Sequence, residues 1–216
     1  MNDYVKKSNA SLRVASRMMR ACIVGLILLA SARTHAGEAW RDGDIIFHTS
    51  RSAQSVEIQR ATHSRYSHVG IVFLRDGKPF VFEAIATVRY TPLKTWVTRG
   101  AAGQYVVKRV TRGLSPGEVA KLRATAKKFT GRPYDLYFEW SDERIYCSEL
   151  VWKMYSRALG IELGQRQHLR EFDLRDPVVK AKLRERYGAQ IPLDEPVISP
   201  AALYDSPLLT TINVNP

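Results

Sequence analysis

The sequence predicts an α+β fold, an antiparallel sheet with helices packed against it. Three observations carry this. Two apolar, β-branched runs, 67–74 and 79–85, flank Asp76-Gly77, the two-residue signal of a tight β-hairpin. Leu150, Val151, Met154 and Ala158 recur at helical spacing behind Cys147, and Gly160 follows as a C-cap. Ser115-Pro116-Gly117-Glu118 is a capping box with proline at the first helical position.

The length of 216 residues suits one domain with a real core, expected over 37–216. Residues 1–36 read as a cleaved secretory signal peptide. Lys6, Lys7, Arg13, Arg17 and Arg20 precede an apolar run, 21–32, and Thr34-His35-Ala36 ends it with small residues where a signal peptidase reads. The run is too short for a membrane span of about 20 residues. A retained membrane anchor is the alternative to cleavage. Cys22 stands at the front of the run, not after it, which argues against lipoprotein processing. The expectation is an exported protein, periplasmic or secreted. Removing the leader leaves 27 basic and 20 acidic residues, a net charge of +7. This suits an anionic envelope surface. No basic stripe interleaved with aromatics points to nucleic acid.

Along the mature chain, 44–47 is a short strand after the Asp42-Gly43 turn, and 54–61 is a short helix of poor periodicity. The hairpin over 67–85 follows. Residues 88–97 read as a strand or irregular loop broken by Pro92, and 104–110 as a further strand. The capped helix runs to about Phe129, with Val119, Leu122, Ala126 and Phe129 inward and Lys121, Arg123, Lys127 and Lys128 on a solvated face. Asp176-Pro177 opens a basic helix ending near Gly188, Ser199-Pro200 opens a helical turn, and 208–214 reads as a last strand. Repeats, glycine-rich phosphate loops and zinc-like spacings are lacking.

The hairpin turn fixes a register. With Asp76 and Gly77 as the loop, Arg75 faces Lys78, Val72 faces Val81, Gly70 faces Glu83 and His68 faces Ile85. Side chains alternate with period two, so the last three pairs share one face. His68 and Glu83 are then diagonal neighbours, and Gly70 leaves room for the carboxylate to lean towards the imidazole. Such a carboxylate orients a histidine and favours its charged form; a structural His–Glu hydrogen bond is the plainer alternative. Cys147 opens its helix, where backbone N–H groups and the helix dipole favour a thiolate. After cleavage of the leader it has no cysteine partner. A small buried residue is the plainer reading of Cys147.

Cysteine, histidine and carboxylate form the trio that acyl-transfer enzymes use: nucleophile, base, and a group that orients the base. Their order here is His68, Glu83, Cys147, whereas papain-like enzymes ordinarily place the cysteine helix first. In Gly43–Phe47, Ser67–Val72, Val81–Ala84, Pro133-Tyr134-Asp135 and Tyr146–Val151 the sequence resembles the permuted papain-like cysteine hydrolases of the YiiX/YebB type, a branch of the NlpC-like amidases. The resemblance spans 42–160. It implies a circularly permuted papain-like fold, with Cys147 as nucleophile, His68 as general base and Glu83 in the orienting position. No cofactor or metal is expected. Tyr134 and Tyr146 are candidates for oxyanion or substrate contact, and the backbone N–H of Cys147 is the better donor.

The expected function is an exported, monomeric cysteine hydrolase of amide bonds, with cell-wall peptide as a candidate substrate. The alternatives are an acyltransferase or thioesterase acting on lipid acyl groups, and a binding module of the same fold without turnover. Residues 161–196 carry no assignable role in the sequence.

Overall fold

A computed structural model of the protein describes residues 39–215. The expected leader, 1–36, and Cys22 lie outside the described residues. The element order is β1 (Ile45–His48), α1 (Ser55–Thr62), β2 (His68–Arg75), β3 (Lys78–Ala84), β4 (Val88–Pro92), α2 (Leu93–Val97), β5 (Tyr105–Val110), α3 (Pro116–Phe129), α4 (Cys147–Leu159), β6 (Gln167–His168), α5 (Pro177–Tyr187), β7 (Pro196–Val197), α6 (Pro200–Tyr204) and β8 (Leu209–Asn215). Six strands form one antiparallel sheet in the order β4-β3-β2-β1-β5-β8; β6 and β7 form a separate short pair.

The hairpin between β2 and β3 sets the centre of the sheet. Asp76 and Gly77 both have positive φ, 50° and 72°, as the favoured two-residue turn requires. Arg75 faces Lys78 and Val72 faces Val81, in the register the turn dictates. Beyond Pro92 the chain leaves the sheet and winds into α2. The 88–97 segment is therefore a strand followed by a helix, because proline at that point cannot continue the ladder.

Alternation along the strands divides the core. On one face, Ile45, Phe47, Val69, Ile71, Phe73 and Phe82 pack with α3 and α4. On the other, Ile46, Val72, Val81 and Val107 pack around fully buried Trp96 of α2. Leu150, Val151 and Met154 of α4 are buried, as their spacing requires, while Ala158 is half-buried. The capping box of α3 forms: Ser115 Oγ accepts from the Glu118 N–H at 3.3 Å, and Glu118 Oε2 accepts from the Ser115 N–H at 2.9 Å. Leu122, Ala126 and Phe129 face inward and Val119 is half-buried. Arg123 departs from the solvated face expected for it. Its guanidinium reaches back to Asp42 Oδ2 at 2.6 Å and lies over the Phe73 ring, because the β1 entry turn abuts this side of α3.

Several buried polar groups are paired across the layers. Arg109 of β5 holds Asp44 with two hydrogen bonds, Nε to Oδ1 at 2.6 Å and Nη2 to Oδ2 at 2.9 Å. The Tyr155 hydroxyl of α4 donates to the Gly43 carbonyl. Lys153, 1% exposed, lies between Glu149 Oε1 at 2.6 Å and Asp142 Oδ1 at 2.9 Å. Together these contacts tie α4 to the start of β1 and to the loop before it, and so fix where its N-terminus falls.

Candidate active site

His68 is the first residue of β2, and the antiparallel count that pairs Ile71 with Phe82 brings Gly70 opposite Glu83. A Cβ on Gly70 would lie 2.4 Å from Val81 Cγ1 and 3.4 Å from Glu83 Cβ. The missing side chain is what leaves Glu83 room on this face. His68 Nε2 and Glu83 Oε2 are 2.7 Å apart. The other carboxylate oxygen accepts from Thr91 Oγ1 at 2.6 Å and from the Arg99 guanidinium. Glu83 has no solvent exposure. Burial on its own would raise its pKa. The hydrogen bond and charge of His68, then Thr91 and Arg99, outweigh burial and hold the group down at about 2. It is therefore a carboxylate at every working pH.

Cys147 is the first residue of α4 and is 2% exposed. The α4 N-terminus leaves the first backbone N–H groups without intrahelical partners. The Tyr146 N–H is taken by Glu149 Oε2 at 3.3 Å. His68 and the backbone N–H groups of Val69 and Ser148 act electrostatically on the thiol. Burial pushes the Cys147 pKa up, but the charge and hydrogen bond of His68, followed by those two N–H groups, bring it below the ordinary thiol value. Burial likewise opposes the charged form of His68. The charge and hydrogen bond of Cys147, then the hydrogen bond and charge of Glu83, overcome it and raise His68 to about 9. These shifts favour a thiolate beside an imidazolium, with a carboxylate behind the imidazolium.

A second imidazole lies next to the first. His48 of β1 pairs with His68 across the strands, and their ring centroids are 5.3 Å apart. The His48 ring stacks on Trp96 at 3.8 Å and 16°. A Cβ on Gly100 would fall 2.7 Å from His48 Nδ1, so the chain closes directly over that atom. Burial first, and then the charge of His68, lower the His48 pKa to about 2. One imidazole of the pair is charged and its neighbour is neutral.

Tyr134 and Tyr146 occupy different surroundings. The Tyr134 hydroxyl donates to Gln54 Oε1 at 3.3 Å. Tyr134, Gln54, His68 and His48 line one cleft. Burial, with the Cys147 charge next, raises the Tyr134 pKa well above the usual phenol value. The Tyr146 hydroxyl accepts from the Ile198 N–H at 3.1 Å within the core, where Tyr146 is 1% exposed. Its ring forms part of the wall of a second, apolar pocket that reaches Cys147 from the other side. Phe138, Leu169, Val179, Leu183 and Ile198 complete much of that wall. Leu169, Val179 and Leu183 come from the 161–196 segment.

Sequence reasoning located Cys147, His68 and Glu83, and the fold places the three side by side. It did not find Thr91, Arg99, His48, Trp96 or Gln54. Thr91 had a signal: it stands opposite Val81 in the strand that follows, on the parity that Glu83 shares. The other four reach the site through α2, the loop after it, β1 and the start of α1, where no local pattern marks them.

The cysteine-bearing helix follows, rather than precedes, the strands that carry the imidazole and carboxylate, so the fold is a circularly permuted papain-like one. The chain belongs to the permuted papain-like amidase enzyme family YaeF/YiiX, C92, whose model matches residues 39–213. It is 53% identical over 189 residues to the uncharacterized protein YiiX of Escherichia coli (strain K12), covering 87% of this chain and 94% of the relative. It is also similar to a crystal structure described as that of metalloprotein YiiX from Escherichia coli O157:H7. There the TM-score is 0.80 and the identity 55%, over 82% of this chain and 98% of that one.

Proposed function

We propose that this chain hydrolyses amide bonds through an acyl-enzyme on Cys147. The reading is supported by the His68 imidazole held 2.7 Å from buried Glu83, together with the electrostatic action of that imidazole on Cys147, which lowers its pKa. In the proposed reaction the thiolate sulfur bonds to the substrate carbonyl carbon, and the π pair moves to oxygen. When the carbonyl reforms, the C–N bond breaks and the amine leaves with the proton of the His68 imidazolium. Neutral His68 then takes a proton from water, which attacks the thioester; the acid is released, and the departing sulfur returns to the ion pair with His68. Glu83 keeps the imidazole oriented throughout.

The test is the pH dependence of Cys147 alkylation by iodoacetamide, with His68→Ala beside it. The reading expects a thiol pKa well below about 8.5 that rises when His68 is removed. An unshifted pKa that ignores His68→Ala overturns it and favours the binding-module alternative. Loss of turnover in Cys147→Ala, on cell-wall peptide fragments, is the companion result.

The leader motif supports placing the enzyme outside the cytoplasm, where cell-wall peptides are an accessible amide substrate. The net charge of the mature chain suits an anionic envelope surface and gives no support to nucleic acid as partner.

A second reading has its own observation. The apolar pocket beside Cys147 supports a substrate whose acyl part is a hydrocarbon chain, as in a lipid amide or ester. Product analysis after incubation with peptidoglycan fragments and with phospholipids separates the two.

One relative is described as a metalloprotein. Among the described residues of this chain, no group of three or more His, Cys, Asp or Glu side chains is arranged to hold a metal ion. The donors nearest the thiol are engaged with one another, so the residues do not fit such a centre, and no step is routed through one.

A further inference from the structure

We infer that the half of the substrate that leaves as the amine carries a free carboxylate, and that Arg51 receives it. The inference rests on the acyl-enzyme reading above. In that reading the amine departs with the proton of His68, so its half of the substrate lies in the cleft that His68 lines. Arg51, Arg99, Ser50 and Ser52 line the same cleft, and no Asp or Glu does. The Glu83 carboxylate stands behind the imidazole with no solvent exposure.

The two guanidinium groups have different duties. Arg99 donates to Glu83 Oε1, while His68 meets Oε2 of the same carboxylate at 2.7 Å. Imidazole and guanidinium are therefore neighbours across one carboxylate, and Glu83 answers the charge of Arg99. Arg51 is exposed and has no carboxylate partner among the described residues. Its Nη2 donates to the Thr98 carbonyl at 2.6 Å, which anchors the guanidinium and leaves further N–H donors for a ligand. The backbone is anchored as well. The Arg51 N–H donates to the Arg99 carbonyl at 3.2 Å, the Ala101 N–H to the Thr49 carbonyl at 2.8 Å, and the Ser50 N–H to Ser67 Oγ at 2.9 Å. The loop of Arg51 is stitched to the loop of Arg99, so both cations are in place before a substrate enters.

A fixed guanidinium suits a carboxylate, which it binds with charge-assisted hydrogen bonds in a planar fork. His68 and Arg99 grip one carboxylate, and Arg51 is bonded to Arg99 through the backbone. A carboxylate near the departing nitrogen therefore comes within reach of Arg51. The substrate class is an amide whose leaving amine is an amino acid with its carboxylate free, cut next to that terminal residue.

The probes are N-acetyl-L-alanylglycine and N-octanoylglycine, each beside its C-terminal amide. Glycine avoids a choice of configuration, and the two acyl groups serve both readings of the acyl half. Release of glycine or glycinamide by the full chain gives kcat and KM. The wild type is expected to prefer the free acid by about 10-fold or more in kcat/KM, chiefly through KM. Arg51→Gln should lower that preference by about 10-fold. Arg51→Lys keeps the charge without the fork and should retain part of it; it serves if the glutamine variant does not fold.

Equal kcat/KM for acid and amide in the wild type overturns the inference. So does an Arg51→Gln variant that keeps the full preference, or one that loses acid and amide activity equally, which marks a structural role. If no probe is hydrolysed, protection of Cys147 from iodoacetamide becomes the readout. The free acids must then protect at lower concentration than the amides, and only with Arg51 in place; equal protection overturns the inference. The pH midpoint of the same alkylation reports on the hydrolase reading separately, since that reading falls only with an ordinary thiol pKa.

Discussion

Glu83 is locked to His68 at 2.7 Å by contacts on both of its oxygens, so its charge is a fixed part of the imidazole's surroundings. The His68 pKa of about 9 lies above the ordinary 6.5. The protonated form that must protonate the leaving amine is therefore fully present below pH 6.5 and is lost as pH rises through about 9. Wild-type amide hydrolysis is expected to decline on that alkaline limb. Glu83→Gln keeps a hydrogen-bonding side chain and removes the charge. It should move the limb to lower pH and lower kcat by about 10²-fold or more, read from a kcat–pH profile.

The same carboxylate links the fold to acid. Its pKa is depressed from 4.5 to about 2, so its stabilisation is complete above pH 4.5 and is lost as pH falls through about 2. The contribution at pH 7 is about 3 kcal/mol. Urea melts should show Glu83→Gln destabilised by roughly that amount at neutral pH and nearly matching the wild type at pH 2.

Gly70→Ala tests the space beside the pair. The added methyl meets Val81 Cγ1 at 2.4 Å, so β2 and β3 must part or Val81 must turn. Overpacking of this kind costs about 1–3 kcal/mol. A lower Tm is expected, together with a Cys147 alkylation midpoint moved towards the ordinary thiol value as Glu83 is displaced from His68.

Lys153→Met tests the buried pair that seats α4. Burial raises Glu149 to about 8 even with Lys153 at 2.6 Å. A carboxyl whose folded pKa lies above 4.5 favours folding most below pH 4.5, and this is lost as pH rises through about 8. Without Lys153 the loss should grow, to about 3–5 kcal/mol. Thermal melts at pH 5 and pH 9 should show the larger drop at pH 9, and adding Glu149→Leu should recover much of it.

The apolar pocket predicts a chain-length dependence. Each methylene that enters it is worth about 0.8 kcal/mol, or nearly fourfold in kcat/KM. A series of p-nitrophenyl esters from acetate to octanoate should rise accordingly. Leu183→Asp, which places a carboxylate in the pocket wall, should flatten the series. A flat series in the wild type argues against the lipid reading.

The sheet centre and the His–Glu contact were legible because one local rule generates both. Asp76-Gly77 fixes the turn, the turn fixes the register, and period-two alternation places the side chains. The helix of Cys147 was legible from its spacing and caps. The remainder depends on contacts between distant segments. Val56 is exposed while Glu57, one position on, is buried against Arg186, which is 2.8 Å away in space and 129 residues away in sequence. An inverted pattern of that kind hides α1, and Gln54 with it, from any reading of periodicity. Arg99 reaches Glu83 only because Pro92 turns the chain out of the sheet into α2, a path that no local propensity specifies.

The hairpin also bears on the order in which reactivity arises. His68 and Glu83 are separated by 15 residues, and a tight turn brings them together. Cys147 must close a far longer loop to reach the same imidazole, at an added entropic cost of about 1.5 kcal/mol. The base and its carboxylate can therefore assemble while the thiol is still on an undocked segment. Until α4 docks, the thiol lacks both the imidazolium and the helix N–H groups that sharpen it, and it reacts as an ordinary cysteine. A chain still folding thus keeps its sulfur dull, and the reactive thiolate comes into being only with the finished cleft around it.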